Sequence, residues 1–347
     1  MQFELRQRGR SLMDFEVTAR QSAGRLQQSV ESELANAGIT SATLPDDMEE
    51  RHRLIDEALA NSATYQARAL LGEWCAKQHG RAAEQAFDEI RDVLEPQLEK
   101  LRLGKTTLTE HVFDAPRYWS EIWFHRTRGG WDASTYNGFV HGELVHKKYV
   151  SQIFPGDIYG NRRLILRDLP RDDYADILEI GTSSGHHTVA IAEVFPAARI
   201  SGIDPSVRML EQAQRVGNEL GYAWDLHTGI GEHMPMFADQ QFDLVTAYAI
   251  HHEMPPKAIA DIFAEAFRVL RPGGDMIMAD VARTDTLDKL TAWRFDWTAR
   301  WGGEPFWRAT AKLDLEPLAR AAGFVDVRGY QPNAGRDPYI IYGRKPA

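Results

Sequence analysis

The chain has 347 residues, with 40 Lys and Arg against 50 Asp and Glu, a net charge of −10, 43% hydrophobic residues and one cysteine. That is the mix of a soluble globular protein long enough for two domains of roughly 100–200 residues. The lone Cys75 excludes a disulfide framework and a multi-cysteine metal or iron–sulfur site, and the acidic balance argues against a broad phosphate-tracking surface. No apolar run reaches the ~18–20 residues of a membrane span. The opening MQFELRQRGRSLMDF lacks the apolar core of a signal peptide, so a reducing cytoplasm is the expected location.

Residues 1–37 carry apolar positions at helical spacing, with Gly38 as a stop. Segments 47–60, 62–79 and 81–103 read as three more helices, with Ser62 capping the second and Gly80 and Gly104 as breaks. Residues 111–160 are aromatic, rich in histidine and interrupted by Gly129, Gly130, Gly138 and Gly142, which predicts short helices and loops lining a pocket. Past residue 170 the period changes. Strand-like runs at 176–180, 198–204, 224–229, 242–248 and 275–280 alternate with helical stretches at 185–195, 206–220 and 256–270. This alternation predicts a doubly wound α/β domain with a mostly parallel sheet. A helix at 313–322 and two runs at 325–330 and 338–344, joined by a short Pro/Asn/Gly turn, predict an antiparallel C-terminal edge. The expected division is a helical cap at about 1–165 and the α/β domain at about 166–347.

The segment from Asp176 to Gly185 is a strand, a glycine loop and a helix start, and Asp204 ends the next strand. Ligands of doubly wound folds bind at the carboxyl ends of the strands, and an acid about 20 residues past the loop commonly holds ribose hydroxyls. A dinucleotide loop needs glycine at its second and third marked positions; here these are Ser183 and His186. Glu179, before the loop, would repel a pyrophosphate but could orient an ammonium.

Glu179-Ile-Gly181-Thr182-Ser183-Ser-Gly185, Asp204-Pro205-Ser-Val-Arg-Met209, Gly229-Ile-Gly231-Glu232-His-Met-Pro235 and Arg268-Val-Leu-Arg-Pro-Gly-Gly274 stand in order and at the right spacing. In these segments the chain resembles the class I S-adenosylmethionine-dependent methyltransferases of small molecules, over residues 170–347. The resemblance implies a Rossmann-like sheet and S-adenosylmethionine as cofactor. It implies a glycine loop around the donor, Asp204 on its ribose, Met209 on its adenine, and contacts near Pro205, Gly231 and Glu232. Two positions differ from the family pattern: Ser183 replaces a glycine, and Ile230 an aspartate that faces the adenine amino group. Tyr159 and Arg162 stand where the family's upstream segment closes over the donor, and Arg162 suits the methionine carboxylate.

His251, His252 and Glu253 follow the fourth strand of this domain, where the resemblance places a loop facing donor and acceptor. A histidine there suits proton removal near neutral pH; packing is the plainer role. A metal would need partners distant from His252 and Glu253, and the sequence signals none, so no metal is expected. Asp280 ends the fifth strand as a substrate contact or a helix cap. Trp293, Trp297 and Trp301 share a helix face, either packed on the N-terminal helices or forming a pocket wall. Tyr136, His141 and His146 are candidates for the opposite wall. The expected reaction is methyl transfer to a small apolar or aromatic acceptor, oxygen being favoured over carbon or nitrogen. An RNA methyltransferase and a non-catalytic donor-binding partner protein are the alternatives. Nucleic acid and membrane are not expected partners, and the long N-terminal helix leaves a homodimer open.

Overall fold

The computed structural model describes residues 3–78, 80–127, 129–151, 158–332 and 338–347, and of residue 149 only the backbone. Its centre is an eight-stranded sheet, β1 (Thr107–Thr109), β2 (Asp176–Ile180), β3 (Arg199–Asp204), β4 (Asp225–Thr228), β5 (Phe242–Tyr248), β6 (Leu270–Asp280), β7 (Val325–Tyr330) and β8 (Tyr339–Arg344). The spatial order is β1-β4-β3-β2-β5-β6-β8-β7. β8 runs antiparallel to both β6 and β7, and the remaining pairs are parallel. The Rossmann-like sheet with its antiparallel edge is as the sequence predicts; the turn expected to join β7 to β8 lies mostly outside the described residues.

The strands are apolar on both faces because helices cover both. On one face Leu178, Ile180, Val245 and Met276 pack with Ile259, Phe263 and Ala266 of the helix Pro256–Val269 and with Leu315 and Ala319 of Leu315–Ala321. On the other, Ile177, Leu226, Leu244 and Ile277 meet the helices Gly160–Arg167, His186–Val194 and Val207–Leu220. The N-terminal half has its own apolar clusters. One joins Met13 and Val17 of the helix Gln7–Asn36 to Phe87, Leu94, Phe139 and Leu144. Another joins Val30, Leu34, Ile55 and Leu59 to Trp293 and Trp297 of the helix Lys289–Gly302.

Three features differ from the sequence reading. The N-terminal region, read as a helical cap with no strand, contributes β1, which pairs in parallel with β4 at Thr107–Asp225 through Thr109–His227. It is held there because Asn218 Oδ1 accepts from Thr106 N–H (2.8 Å) and Thr106 Oγ1 donates to Tyr222 O (3.0 Å). The helix expected over 81–103 is two, Arg81–Asp88 and Arg91–Lys100, broken where Ile90 leaves helical backbone and bonds to Phe87 O in a tighter turn. Residues Val140–Val150 wind as a π-helix rather than an α-helix. π turns are rare and concentrate at functional sites, and this one faces the carboxyl ends of β2 and β3.

Candidate active site

After β2 the chain must turn sharply beneath the side chain of Ile250. Gly181 has φ +76, and a Cβ there would lie 2.3 Å from Ile250 Cγ2, so glycine is needed for both conformation and space. Ser183 also holds a left-handed φ of +48, which costs a non-glycine residue roughly 1–2 kcal/mol. The loop retains this geometry because Ser183 N–H donates to Asp204 Oδ2 (2.8 Å), while Ser206 N–H donates to Oδ1 (2.8 Å). Burial pushes the Asp204 carboxyl up to about 7 against these two amide bonds. Glu179 is wholly buried. Thr188 Oγ1 donates to its Oε2 (2.6 Å), and its Oε1 has no partner among the described residues. Burial raises its pKa to about 8. A carboxylate this dry needs a cation to ionise comfortably.

These groups line one side of a cavity of about 270 Å³. Gly181, Thr182, Ser183, Pro205, Met209, Gly231, Glu232 and Arg162 share that lining, as do Ile230 and the two carboxylates. Gly185 does not: with φ +87 it packs on Ala213 and Trp224, joining loop to helix. Tyr159 lies behind the wall, its ring 6.0 Å from that of His186. Arg162 lays its guanidinium over Tyr248, 4.4 Å from the ring centroid.

The facing wall comes from the N-terminal half, through Tyr118, Trp119, Phe124, His125, Trp131, His141 and His146. Tyr118 donates its hydroxyl hydrogen bond to Glu232 across the cavity. His141 and His146 stand in a row of rings between Trp131 and His186, with centroids 4.6, 4.3 and 5.4 Å apart. Burial lowers the pKa of all three histidines, His141 to about 3 and the other two well below the ordinary value. The row is neutral at physiological pH and gives an aromatic rather than a charged surface. Tyr136 is placed elsewhere, buried beside Phe87 with its hydroxyl on Glu99 (3.0 Å). Trp293 and Trp297 are likewise outside the cavity, in the apolar cluster of the N-terminal helices, with Arg68 3.5 Å over the Trp297 ring. Their helical spacing reported a buried face without saying what buries it.

The histidine pair past β5 splits into two roles. His251 turns into the core, edge-on to Phe263 at 5.8 Å, with neither ring nitrogen bonded among the described residues; burial keeps it neutral. It does not line the cavity. His252 and Glu253 do. Asp280 accepts from His251 N–H (2.6 Å) and faces His252 Nδ1 (2.8 Å), so it fixes the turn and the imidazole from behind. Burial opposes charge on His252, but the Asp280 carboxylate outweighs it and holds the pKa up at about 9. Asp280 itself is pushed up by burial and brought down to about 2 by His252.

No motif in the sequence marks His125. It sits in a three-residue turn, Phe124–Arg126, in which both His125 (φ +51) and Arg126 (φ +56) are left-handed. His125 N–H donates to Gly303 O (3.0 Å), and a Cβ on Gly303 would come within 2.8 Å of Arg126 N. The ring is delivered to Glu253, with Nε2 3.2 Å from Oε1, and Nδ1 hydrogen-bonds the Glu304 carboxylate. Burial works against protonation of His125, yet these two carboxylates hold it up at about 10.

A buried acid before a left-handed glycine loop, a second acid ending the next strand, and a methionine beside it thus line one cavity at the carboxyl ends of the strands. The methyltransferase-domain family matches residues 177–274. Similar curated proteins include a methyltransferase of Penicillium fellutanum, 29% identical over 113 residues, which are 32% of this chain and 34% of that one. An uncharacterised methyltransferase of Synechocystis is 28% identical over 204 residues, covering 56% and 89% of the two chains. An arsenite methyltransferase of Aquipseudomonas alcaligenes is 27% identical over 171 residues, covering 45% and 46%. The chain thus spans about a third of the length of the Penicillium protein and most of the Synechocystis one. Among solved structures, a Haemonchus contortus phosphoethanolamine N-methyltransferase aligns with a TM-score of 0.46 at 15% identity, over 62% of this chain and 60% of that one. The chain carries a class I methyltransferase domain, whose methyl donor is S-adenosylmethionine.

Proposed function

We propose that the chain methylates a small aromatic or apolar acceptor, on oxygen in preference to carbon or nitrogen, inside the cavity between the glycine loop and the 118–146 wall. The observation that carries this reading is the continuity of that cavity. One end offers Glu179, Ser183, Asp204 and Met209 to a nucleoside and an ammonium, and the other offers Trp119, Phe124, Trp131, His252 and Glu253. Asp204 receives the ribose hydroxyls, Met209 packs on adenine, and Glu179 pairs with the donor ammonium. With Ile230 in place of an acid, the adenine edge is held by backbone near Gly231 and by packing.

In the transfer, a lone pair on the acceptor oxygen attacks the methyl carbon in line with its bond to sulfur. That bond breaks, its electron pair returns to sulfur, and the acceptor O–H proton is released to solvent. Little covalent chemistry is asked of the protein; alignment of the two reactants supplies much of the rate. His252, held by Asp280, and Glu253 position the acceptor oxygen. The enclosed aromatic wall accepts a ring and excludes an RNA strand, and the chain's −10 charge argues the same way.

The test is calorimetric titration with S-adenosylmethionine and S-adenosylhomocysteine, followed by incubation of fractionated small-molecule extract with isotope-labelled donor. Saturable donor binding and label in an ether or ester product support the reading. Label recovered only in RNA, or donor binding with no labelled product from any fraction, overturns it.

A further inference from the structure

Three polar side chains from two distant parts of the chain converge at the acceptor end of the cavity. His125 arrives on its strained turn, and His252 and Glu253 arrive past β5. One ligand-type atom from each lies within 4.8 Å of the others. The two Nε2 atoms both face the Glu253 carboxylate, at 3.2 Å from His125 and 4.0 Å from His252. Ligands on opposite sides of a metal with bonds of ~2.1 Å stand at most ~4.2 Å apart, so both distances already fit a common ion.

We propose that His125, His252 and Glu253 bind a divalent first-row transition metal, which receives the acceptor's oxygen. The donor set is two imidazoles and one carboxylate, which suits zinc, ferrous iron or manganese and is poor in oxygen for magnesium or calcium. Each imidazole is backed at its other nitrogen by a carboxylate, His252 Nδ1 by Asp280 and His125 Nδ1 by Glu304. Metal-binding histidines are typically oriented in this way, with the far N–H on a carboxylate and the near nitrogen's lone pair aimed at the ion.

Charge points the same way. Asp280 is 5% exposed and Glu304 9%, and with Glu253 they place three carboxylates around two imidazoles. The strongest charges acting on His125, His252 and Glu304 are one another's and those of Glu253 and Asp280. Glu304 keeps one oxygen, Oε2, buried without a hydrogen-bond partner among the described residues. The backbone at His125 also has a reason: left-handed φ at two consecutive non-glycine residues persists only where the surroundings impose it, and such strain concentrates at functional sites.

For the methyl transfer above, on which this role of the ion rests, a bound metal lowers the pKa of a coordinated O–H. The acceptor's proton passes to solvent on coordination, leaving an oxygen anion as nucleophile. The favoured acceptors carry a phenol, enol or hydroxy acid beside an apolar body.

The untagged full chain, dialysed against chelator, is titrated with Zn²⁺ by calorimetry and with Co²⁺ by visible absorption, without donor or acceptor. One equivalent is expected to bind. His125→Asn and Glu253→Gln should each weaken binding about 100-fold or more, and Asp280→Asn about 10- to 100-fold. S-Adenosylhomocysteine affinity of each variant reports that it is folded. No stoichiometric binding by the parent, or parental metal affinity in both His125→Asn and Glu253→Gln, overturns the site. Metal binding without any S-adenosylhomocysteine binding by the parent would keep the metal site while removing the methyl-transfer reading.

Discussion

Replacing Glu179 by Gln separates a donor-binding acid from a structural one. The carboxyl is fully buried on the cavity lining, accepts one hydrogen bond from Thr188 and has a second oxygen with no partner among the described residues. With its pKa raised by burial to about 8, it is mostly neutral at pH 6 and about half ionised at pH 8. If the donor ammonium binds only the carboxylate, one-site linkage makes donor affinity rise roughly 50-fold between pH 6 and pH 8. Asp204, raised to about 7, adds a smaller rise over the lower part of that range. Glu179→Gln should remove the larger slope. At pH 8 it should also weaken binding about 10- to 150-fold, the equivalent of one charge-assisted bond of roughly 1.5–3 kcal/mol. The free protein has the opposite trend. A carboxyl whose folded pKa is raised contributes stability fully present below its unfolded value near 4.5 and lost as pH rises through about 8. Added donor should therefore raise Tm more at pH 8 than at pH 6. Calorimetry of parent and variant at pH 6, 7 and 8 is the assay. Parallel pH profiles, or a variant binding as tightly as the parent at pH 8, would refute the role given to Glu179.

Asp204→Ala should weaken donor binding about 10-fold or more, read by titration in a variant whose circular dichroism is unchanged. Gly138→Ala places a Cβ 2.1 Å from Arg208 O, a backbone atom that cannot swing aside, and should lower Tm by several degrees in thermal melts. Asp296, buried against His52 (2.8 Å) and Arg308 (2.8 Å), should cost roughly 3–5 kcal/mol as Asp296→Ala, measured by urea unfolding. His52 and Arg308 bring its pKa down to about 2 despite burial. Its contribution should be complete above about 4 and fade as the pH falls toward 2, and a variant with the parental acid-unfolding curve would contradict this. Donor binding should slow amide exchange across residues 117–146; equal exchange with and without donor would make that wall a static one.

The strands at 176–180, 242–248 and 325–330 were legible to the residue, because each is an apolar or alternating run bounded by turn residues. The grouping of the proposed donor half was legible for a related reason: Glu179, Gly181, Ser183 and Asp204 stand at fixed spacing around one strand–loop–helix turn and the next strand end, and the structure brings all four to one cavity. Three residues of β1 are too few to show a period, and their pairing with β4 spans more than a hundred positions. The break at Ile90 depends on which side chains the neighbouring helices bury. His125 is one of several histidines in a glycine-interrupted stretch and has no motif around it; only the approach of Gly303 and Glu304 from a remote helix end gives it meaning. The tryptophan stripe shows the limit from the other side, since periodicity identified the face that buries Trp293 and Trp297 but not its neighbour, and Trp301 on the same face stays exposed.

The pairing of β1 with β4 has a consequence for how this chain can be cut. Trp224 O accepts from Thr107 N–H (2.9 Å), so a strand encoded before the methyltransferase domain supplies the outermost row of that domain's own sheet. Excising the first 110 residues would leave β4 as a naked edge, with unpaired N–H and C=O groups ready to recruit another chain. Such a truncation should assemble into aggregates rather than yield a smaller enzyme. Contacts this distant in sequence also raise contact order and slow folding. The cap and the sheet should then melt together in one transition, and a fragment boundary at residue 100 should outperform one at 165.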